Sequence, residues 1–202
     1  MPTSEKYFDQ AYYSSGGYDE YESDVRSWTG RVAKKIVRSL AGVPAPRVLD
    51  AGCAHGFLLE ELLQLGCKVK GLEYSPYAIQ TASPMVQKYI RQGSILKKNL
   101  FPAHTFDAVI CFDVVEYLTR DETEKAIGNL ARWTKNLIFF AALYRHSRQS
   151  SQKHNPDPAR RTTLSQKEYQ NLFQKYGAFL LEKKNLGNGG DILIFQAQKI
   201  QK

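Results

Sequence analysis

Residues 48–57 read Val48-Leu49-Asp50-Ala51-Gly52-Cys53-Ala54-His55-Gly56-Phe57. An apolar run meets an acid, crosses a turn holding two glycines, and continues into Leu58, Leu59, Leu62 and Leu63 at helical spacing. This is the pattern of a strand passing into a helix. Gly52 lacks a Cβ, so the backbone can bend there and a ligand can approach it closely. The free N–H groups of the following helix favour a polar or anionic group at the same place. Glu73 lies 17 residues beyond Gly56, at the end of the next apolar stretch. A carboxylate at that tip can accept hydrogen bonds from both hydroxyls of a ribose. The turn departs from G-x-G-x-x-G, because Ala54 takes the second glycine's place and no glycine stands at the third. That argues against a dinucleotide, whose pyrophosphate needs the second glycine for close backbone approach. Turn, spacing and acid together point to an adenosine ligand outside the carboxyl ends of the strands.

The pattern extends in both directions. Before the turn, Val25, Trp28, Val32, Ala33, Ile36, Val37 and Leu40 predict a helix that stops near Gly42, and Arg47–Asp50 predict a strand. After it come a helix over 57–65, closed by Gly66, and a strand over Cys67–Leu72. Ser75-Pro76 opens a further helix, with serine as N-cap and proline at the first helical position. Strands are expected at Val86–Ile90, Phe106–Phe112 and Asn136–Leu143. Capping boxes at Thr119-Arg-Asp-Glu122 and Ser165-Gln-Lys-Glu168 start two late helices. Phe179–Lys184 and Asp191–Gln198 flank a glycine-rich turn and predict an antiparallel hairpin. Strands alternating with helices imply one α/β domain over 25–202, its mostly parallel sheet covered on both faces. Residues 1–24 are rich in Tyr, Gly, Ser and acids, including Tyr12, Tyr13 and Tyr18. Such a segment either folds over a pocket as a lid or frays.

The 202 residues can bury a core without staples, and 43% hydrophobic with 24% charged residues excludes a disordered or fibrous chain. The longest apolar run, Leu137–Tyr144, is too short to span a bilayer, so no membrane partner is expected. No signal-like apolar stretch opens the sequence, and the three cysteines form no CxxC pair; a cytoplasmic protein with reduced thiols is expected. The scattered histidines match no metal motif, so no metal is expected. The net charge of +8 is uneven: residues 1–119 hold 13 basic and 13 acidic side chains, residues 120–202 hold 15 and 7. The stretch 145–161 sets Arg145, Arg148, Lys153, Arg160 and Arg161 against Asp157. It is either a solvated loop or a surface that attracts an anionic substrate or nucleic acid.

Three motifs, in order and correctly spaced, carry a family resemblance. Asp50-Ala-Gly-Cys-Ala-His-Gly56 resembles the first motif of class I S-adenosylmethionine-dependent methyltransferases. Glu73-Tyr-Ser-Pro resembles their acidic second motif, and Phe106-Asp-Ala-Val-Ile-Cys-Phe-Asp-Val-Val-Glu-Tyr-Leu118 their fourth-strand segment. The resemblance spans roughly residues 25–200. It implies a Rossmann-like α/β fold, a seven-stranded mostly parallel sheet of order 3-2-1-4-5-7-6. It also implies the donor S-adenosyl-L-methionine and the product S-adenosyl-L-homocysteine. By resemblance, Gly52, Cys53 and Ala54 contact the methionine and ribose part while Asp50 and Gly56 fix the loop. Glu73 holds the ribose hydroxyls and Tyr74 packs on adenine. Ser94 and Ile95 line the adenine end, with Ser94 where many relatives have Asp. Phe112, Asp113 and Val114 border the methionine moiety, and Tyr12 and Tyr13 close over the cofactor. Tyr117 replaces the family's frequent His.

On the acceptor side, His154 and His146 lie in the basic stretch after the fifth strand; His154 is either a base or a surface residue. Tyr117 is, with His154, a candidate catalytic residue, and Tyr18, His146 and Arg145 are candidates to bind the acceptor. Tyr18 and Tyr117 either shape the acceptor pocket or pack in the core or lid, and Glu116 is expected to cap the next turn or orient a neighbour. The expected reaction is methyl transfer to O or N of a small molecule, such as a natural-product intermediate or sugar. The alternative is an RNA, protein or peptide acceptor held by 145–161, though no RNA-binding motif is visible. A non-catalytic binding module is a third reading.

Overall fold

A computed structural model describes residues 7–14, 21–145, 157, 159–185 and 191–198. In chain order the elements are α1 (Gln10–Tyr13), α2 (Tyr21–Ser39), β1 (Arg47–Ala51), α3 (Phe57–Gln64), β2 (Lys68–Glu73), α4 (Pro76–Thr81), α5 (Pro84–Gln87) and β3 (Ile90–Gln92). Then come β4 (Phe106–Phe112), α6 (Arg120–Trp133), β5 (Thr134–Ala141), α7 (Gln166–Lys175), β6 (Ala178–Asn185) and β7 (Asp191–Ala197). One seven-stranded sheet runs β3-β2-β1-β4-β5-β7-β6. β1 through β5 pair in parallel, and β7 pairs antiparallel with both β5 and β6. The expected strand order and the closing hairpin are both present.

The central strands are apolar on both faces because both are covered. Val109, Cys111, Ile138, Phe140, Leu193 and Phe195 face a core built with α6 and α7. Ala108, Ile110, Phe139, Ile192 and Ile194 face the other, built with α2 and α3. Both late capping boxes form: Thr119 and Ser165 accept from the backbone N–H of Glu122 and Glu168, whose carboxylates reach back to the cap residues. The three cysteines are buried and free. Among the described residues no helix is long and apolar enough to cross a membrane.

Three local expectations are corrected. Residues 84–87 form a helical turn, and β3 begins only at Ile90. Pro84 sits at the start of that turn, where its fixed φ suits a helix, and Val86 is buried there rather than paired in the sheet. β5 occupies Thr134–Ala141, two residues earlier than its apolar run suggested. Ala142 and Tyr144 are buried all the same, because α7 and its neighbours cover the strand's exit. Finally, α2 starts at Tyr21, so residues 21–24 are its first turn, with Glu22 and Asp24 at the positive end of the helix dipole.

Candidate active site

At the carboxyl ends of β1, β2 and β4 lies a cavity of about 530 Å³, within the range of small-molecule sites. β1 leaves the sheet at Ala51, and Gly52 turns the chain with φ 91°. The Gly52 N–H donates to the Leu72 carbonyl at 2.7 Å, which locks the turn against β2. A Cβ at Gly52 would stand 2.2 Å from Val114 Cγ2, so this position requires glycine on two counts. Ala54 also has positive φ, 46°, and its N–H donates to Glu73 Oε2 at 2.8 Å.

Glu73 is 7% exposed. Its Oε1 accepts from the N–H groups of Tyr74 at 2.6 Å and Ser75 at 2.7 Å. These three bonds tie the β1 turn to the β2 exit and fix the carboxylate on the cavity wall. A carboxylate has about four lone-pair sites, so capacity remains for a ligand hydroxyl. Burial raises the Glu73 carboxyl and the three N–H donors pull it back. Asp50, 5% exposed on the same wall, is pushed up to about 7, first by burial and then by Glu73. Burial pushes the Cys53 thiol up.

Tyr12, Tyr13, Asp50, Gly52, Cys53, Ala54, Glu73, Tyr74, Ser94, Ile95, Phe112, Asp113, Val114 and Tyr117 all line this cavity. Gly56 stands behind it, at the start of α3 with φ 79°. Ile95 is held by the buried Asn129 amide, which donates to its carbonyl at 2.7 Å. The described part of the N-terminal segment packs over the opening. The Ser75 hydroxyl donates to the Phe8 carbonyl, Phe8 meets the Tyr117 ring edge-on at 5.3 Å, and Tyr13 meets His55 at 4.6 Å.

The same cavity holds residues that sequence reasoning assigned otherwise. Glu116 does not cap α6, since Thr119 does. Glu116 is 2% exposed and lines the cavity, and its Oε2 has no hydrogen-bond partner among the described residues. Burial, reinforced by Asp113, pushes it up to about 8. Asp113 turns its exposed surface to the cavity; the surrounding protein raises its carboxyl, and Arg160 opposes the rise. Arg160 lines the cavity too, so one cation of the basic stretch reaches the site. Arg145 does not. Its guanidinium donates to the Thr163 carbonyl at 3.1 and 3.2 Å and lies 3.6 Å from Glu168, because the chain turns outward beside α7. Tyr18, His146 and His154 lie outside the described residues. Phe8 and Trp28 also line the cavity, one hidden in a polar terminus, the other in a helical stripe that reads as core.

Residues 49–140 match the family model of the methyltransferase domain. The ubiquinone biosynthesis O-methyltransferase of Alkalilimnicola ehrlichii is 28% identical over 118 residues, 55% of this chain and 47% of that protein. That of Bradyrhizobium diazoefficiens is 33% identical over 97 residues, 46% and 38% of the two chains. The chain spans about half the length of the curated relatives it matches. In fold, magnesium protoporphyrin IX methyltransferase from Synechocystis PCC 6803 with bound SAH superposes with a TM-score of 0.70 at 18% identity, covering 93% of this chain and 97% of that one. The PH0226 protein of Pyrococcus horikoshii superposes equally, at 0.70 and 19% identity over 97% and 100%. Over residues 49–140 and in its fold the chain is similar to the class I S-adenosylmethionine-dependent methyltransferases. The cavity fits the donor of that class: it has the volume for a nucleoside, with a buried carboxylate fixed at the tip of β2 beside the β1 turn.

Proposed function

We propose that this chain transfers the methyl group of S-adenosylmethionine to an oxygen or nitrogen atom of a small-molecule acceptor. The observation that carries the proposal is the joining of two chemistries in one cavity. Glu73 and the Gly52 turn line it together with Asp113, Glu116, Tyr117 and Arg160. The packing of Phe8, Tyr12 and Tyr13 on the wall of a cavity of about 530 Å³ supports a small acceptor. The curated relatives' names support an oxygen acceptor.

In this reading Glu73 takes a ribose hydroxyl on its remaining lone-pair site and Tyr74 packs on adenine. Ser94 and Ile95 border the base, Gly52–Ala54 and Phe112–Val114 the methionine part. The donor supplies an already activated methyl group. The protein's share is alignment and exclusion of water, which can be worth roughly 7–11 kcal/mol. Of the N-terminal segment 1–24, the described residues Phe8, Tyr12 and Tyr13 on the cavity wall support its reading as a lid. Incubating the chain with isotopically labelled methyl donor and a cell extract, then finding the labelled species by mass spectrometry, tests the proposal. A labelled small molecule is expected. Label confined to RNA or protein would overturn the small-molecule acceptor in favour of a macromolecular one.

A further inference from the structure

Three oxygens from distant parts of the chain meet beside the cavity. Tyr12 belongs to α1, Tyr117 to the turn after β4, and Asp157 to the segment before α7. Tyr12 Oη lies 2.8 Å from Tyr117 Oη. Asp157 Oδ2 lies 3.1 Å from the first and 3.0 Å from the second. All three separations are hydrogen-bond distances.

Counting hydrogens shows what this triangle can do. Each phenol brings one hydrogen and an ionised carboxylate brings none. Two hydrogens cannot fill three contacts. A proton on Asp157 Oδ2 would make three hydrogens for three contacts. Asp157 Oδ1 accepts from the Ala159 N–H at 2.9 Å, and Tyr12 and Tyr117 stand on the cavity wall. With a carboxylate at Asp157 the triangle has one hydrogen fewer than its three contacts.

Methylating an O–H or N–H group releases one proton. Resting on the methyl-transfer reading above, we infer that the Tyr12–Tyr117–Asp157 triangle takes up the acceptor's proton. Tyr117 touches the acceptor, and Asp157 is a positioning residue that acts through it. The acceptor's hydrogen passes to Tyr117 Oη as the hydrogen of Tyr117 passes to Asp157 Oδ2. The acceptor's lone pair closes the bond to the methyl carbon, the carbon–sulfur pair stays with sulfur, and Asp157 later loses its proton to water. A neutral hydroxyl is a poor acid toward a carboxylate, but it becomes a strong one as its oxygen gains the methyl carbon. The proton therefore moves late, when the transfer is downhill. Because Tyr12 sits in the N-terminal segment, the complete triangle exists only while that segment is docked.

Two measurements on the full chain test this. In the ligand-free protein with carboxyl-13C aspartate, the Asp157 Cγ resonance is identified by its loss in Asp157→Asn. At fixed pH, Tyr117→Phe and Tyr12→Phe should each move it; a resonance indifferent to both would overturn the triangle. In single-turnover transfer of labelled methyl to the extract's acceptor, Asp157→Asn and Tyr117→Phe should slow the reaction about 10²–10⁴-fold. S-adenosylhomocysteine affinity should stay within about threefold, and Asp157→Glu should recover part of the rate. An Asp157→Asn rate equal to wild type would overturn the inference while leaving the methyltransferase reading intact. A wild-type chain that labels nothing would overturn that reading, and the inference with it.

Discussion

On the cavity wall Glu73 is held by the backbone N–H groups of Ala54, Tyr74 and Ser75, the farthest only 19 residues away in sequence. Elsewhere on that wall, Tyr12 meets Tyr117 across 105 residues and Asp157 across 145, through side chains alone. The first region is local, built from backbone, and fixed by the sheet. The second is assembled only when an N-terminal helix, the β4 exit and the segment before α7 dock together. Backbone geometry at a strand end tolerates few sequences, whereas side-chain assemblies can be rewritten residue by residue. A conserved donor chemistry and a changeable acceptor chemistry can thus share one fold.

The largest expected effect is in the local region. Glu73→Ala should lower S-adenosylhomocysteine affinity about 10²-fold or more by calorimetry. It should also destabilise the fold by about 2–4 kcal/mol in urea melts, because three N–H donors lose their acceptor. Unchanged affinity would remove Glu73 from the donor site. Gly52→Ala should cost about 2–4 kcal/mol through the Val114 clash and the positive φ. Adding Val114→Ala should return only the clash share, so full recovery would refute the backbone contribution.

Deleting residues 1–14 probes the assembled region and leaves α2 whole. Release of S-adenosylhomocysteine in stopped flow should quicken about tenfold, with little change in urea midpoint; an unchanged release rate would reject the lid. The smallest effect is a pH slope. The folded carboxyl of Glu116 titrates at about 8 against 4.5 for the free side chain, so the folded state holds more protons between those values. Its contribution to stability is complete below about pH 4.5 and is lost as pH rises through 8. Urea melts across that window should show wild-type stability declining more steeply than that of Glu116→Gln. Parallel curves would show that Glu116 does not titrate there.

The same contrast explains what could be read from sequence. The β1 turn, Glu73, the two capping boxes and the closing hairpin are legible because each rests on residues a few positions apart. β3 was misplaced because Val86-Gln-Lys-Tyr-Ile90 looks strand-like while Pro84 starts a helical turn. Glu116 reads in sequence as a cap of the next turn or a residue that orients a neighbour, while its burial comes from segments far along the chain, including the Arg161 and Thr162 N–H groups that bind its carbonyl. Arg160 was one of five basic residues in a stretch, and nothing local distinguished it from Arg145, which turns away. Asp157 appeared only as a counter-charge, because its partners lie 40 and 145 residues away.

A crystal structure with S-adenosylhomocysteine bound tests the central claim most directly. The account predicts a ribose hydroxyl within hydrogen-bond distance of the Glu73 carboxylate, with the homocysteine arm crossing the Gly52 turn toward Asp113. A ligand bound elsewhere, or a ribose facing away from Glu73, would contradict it.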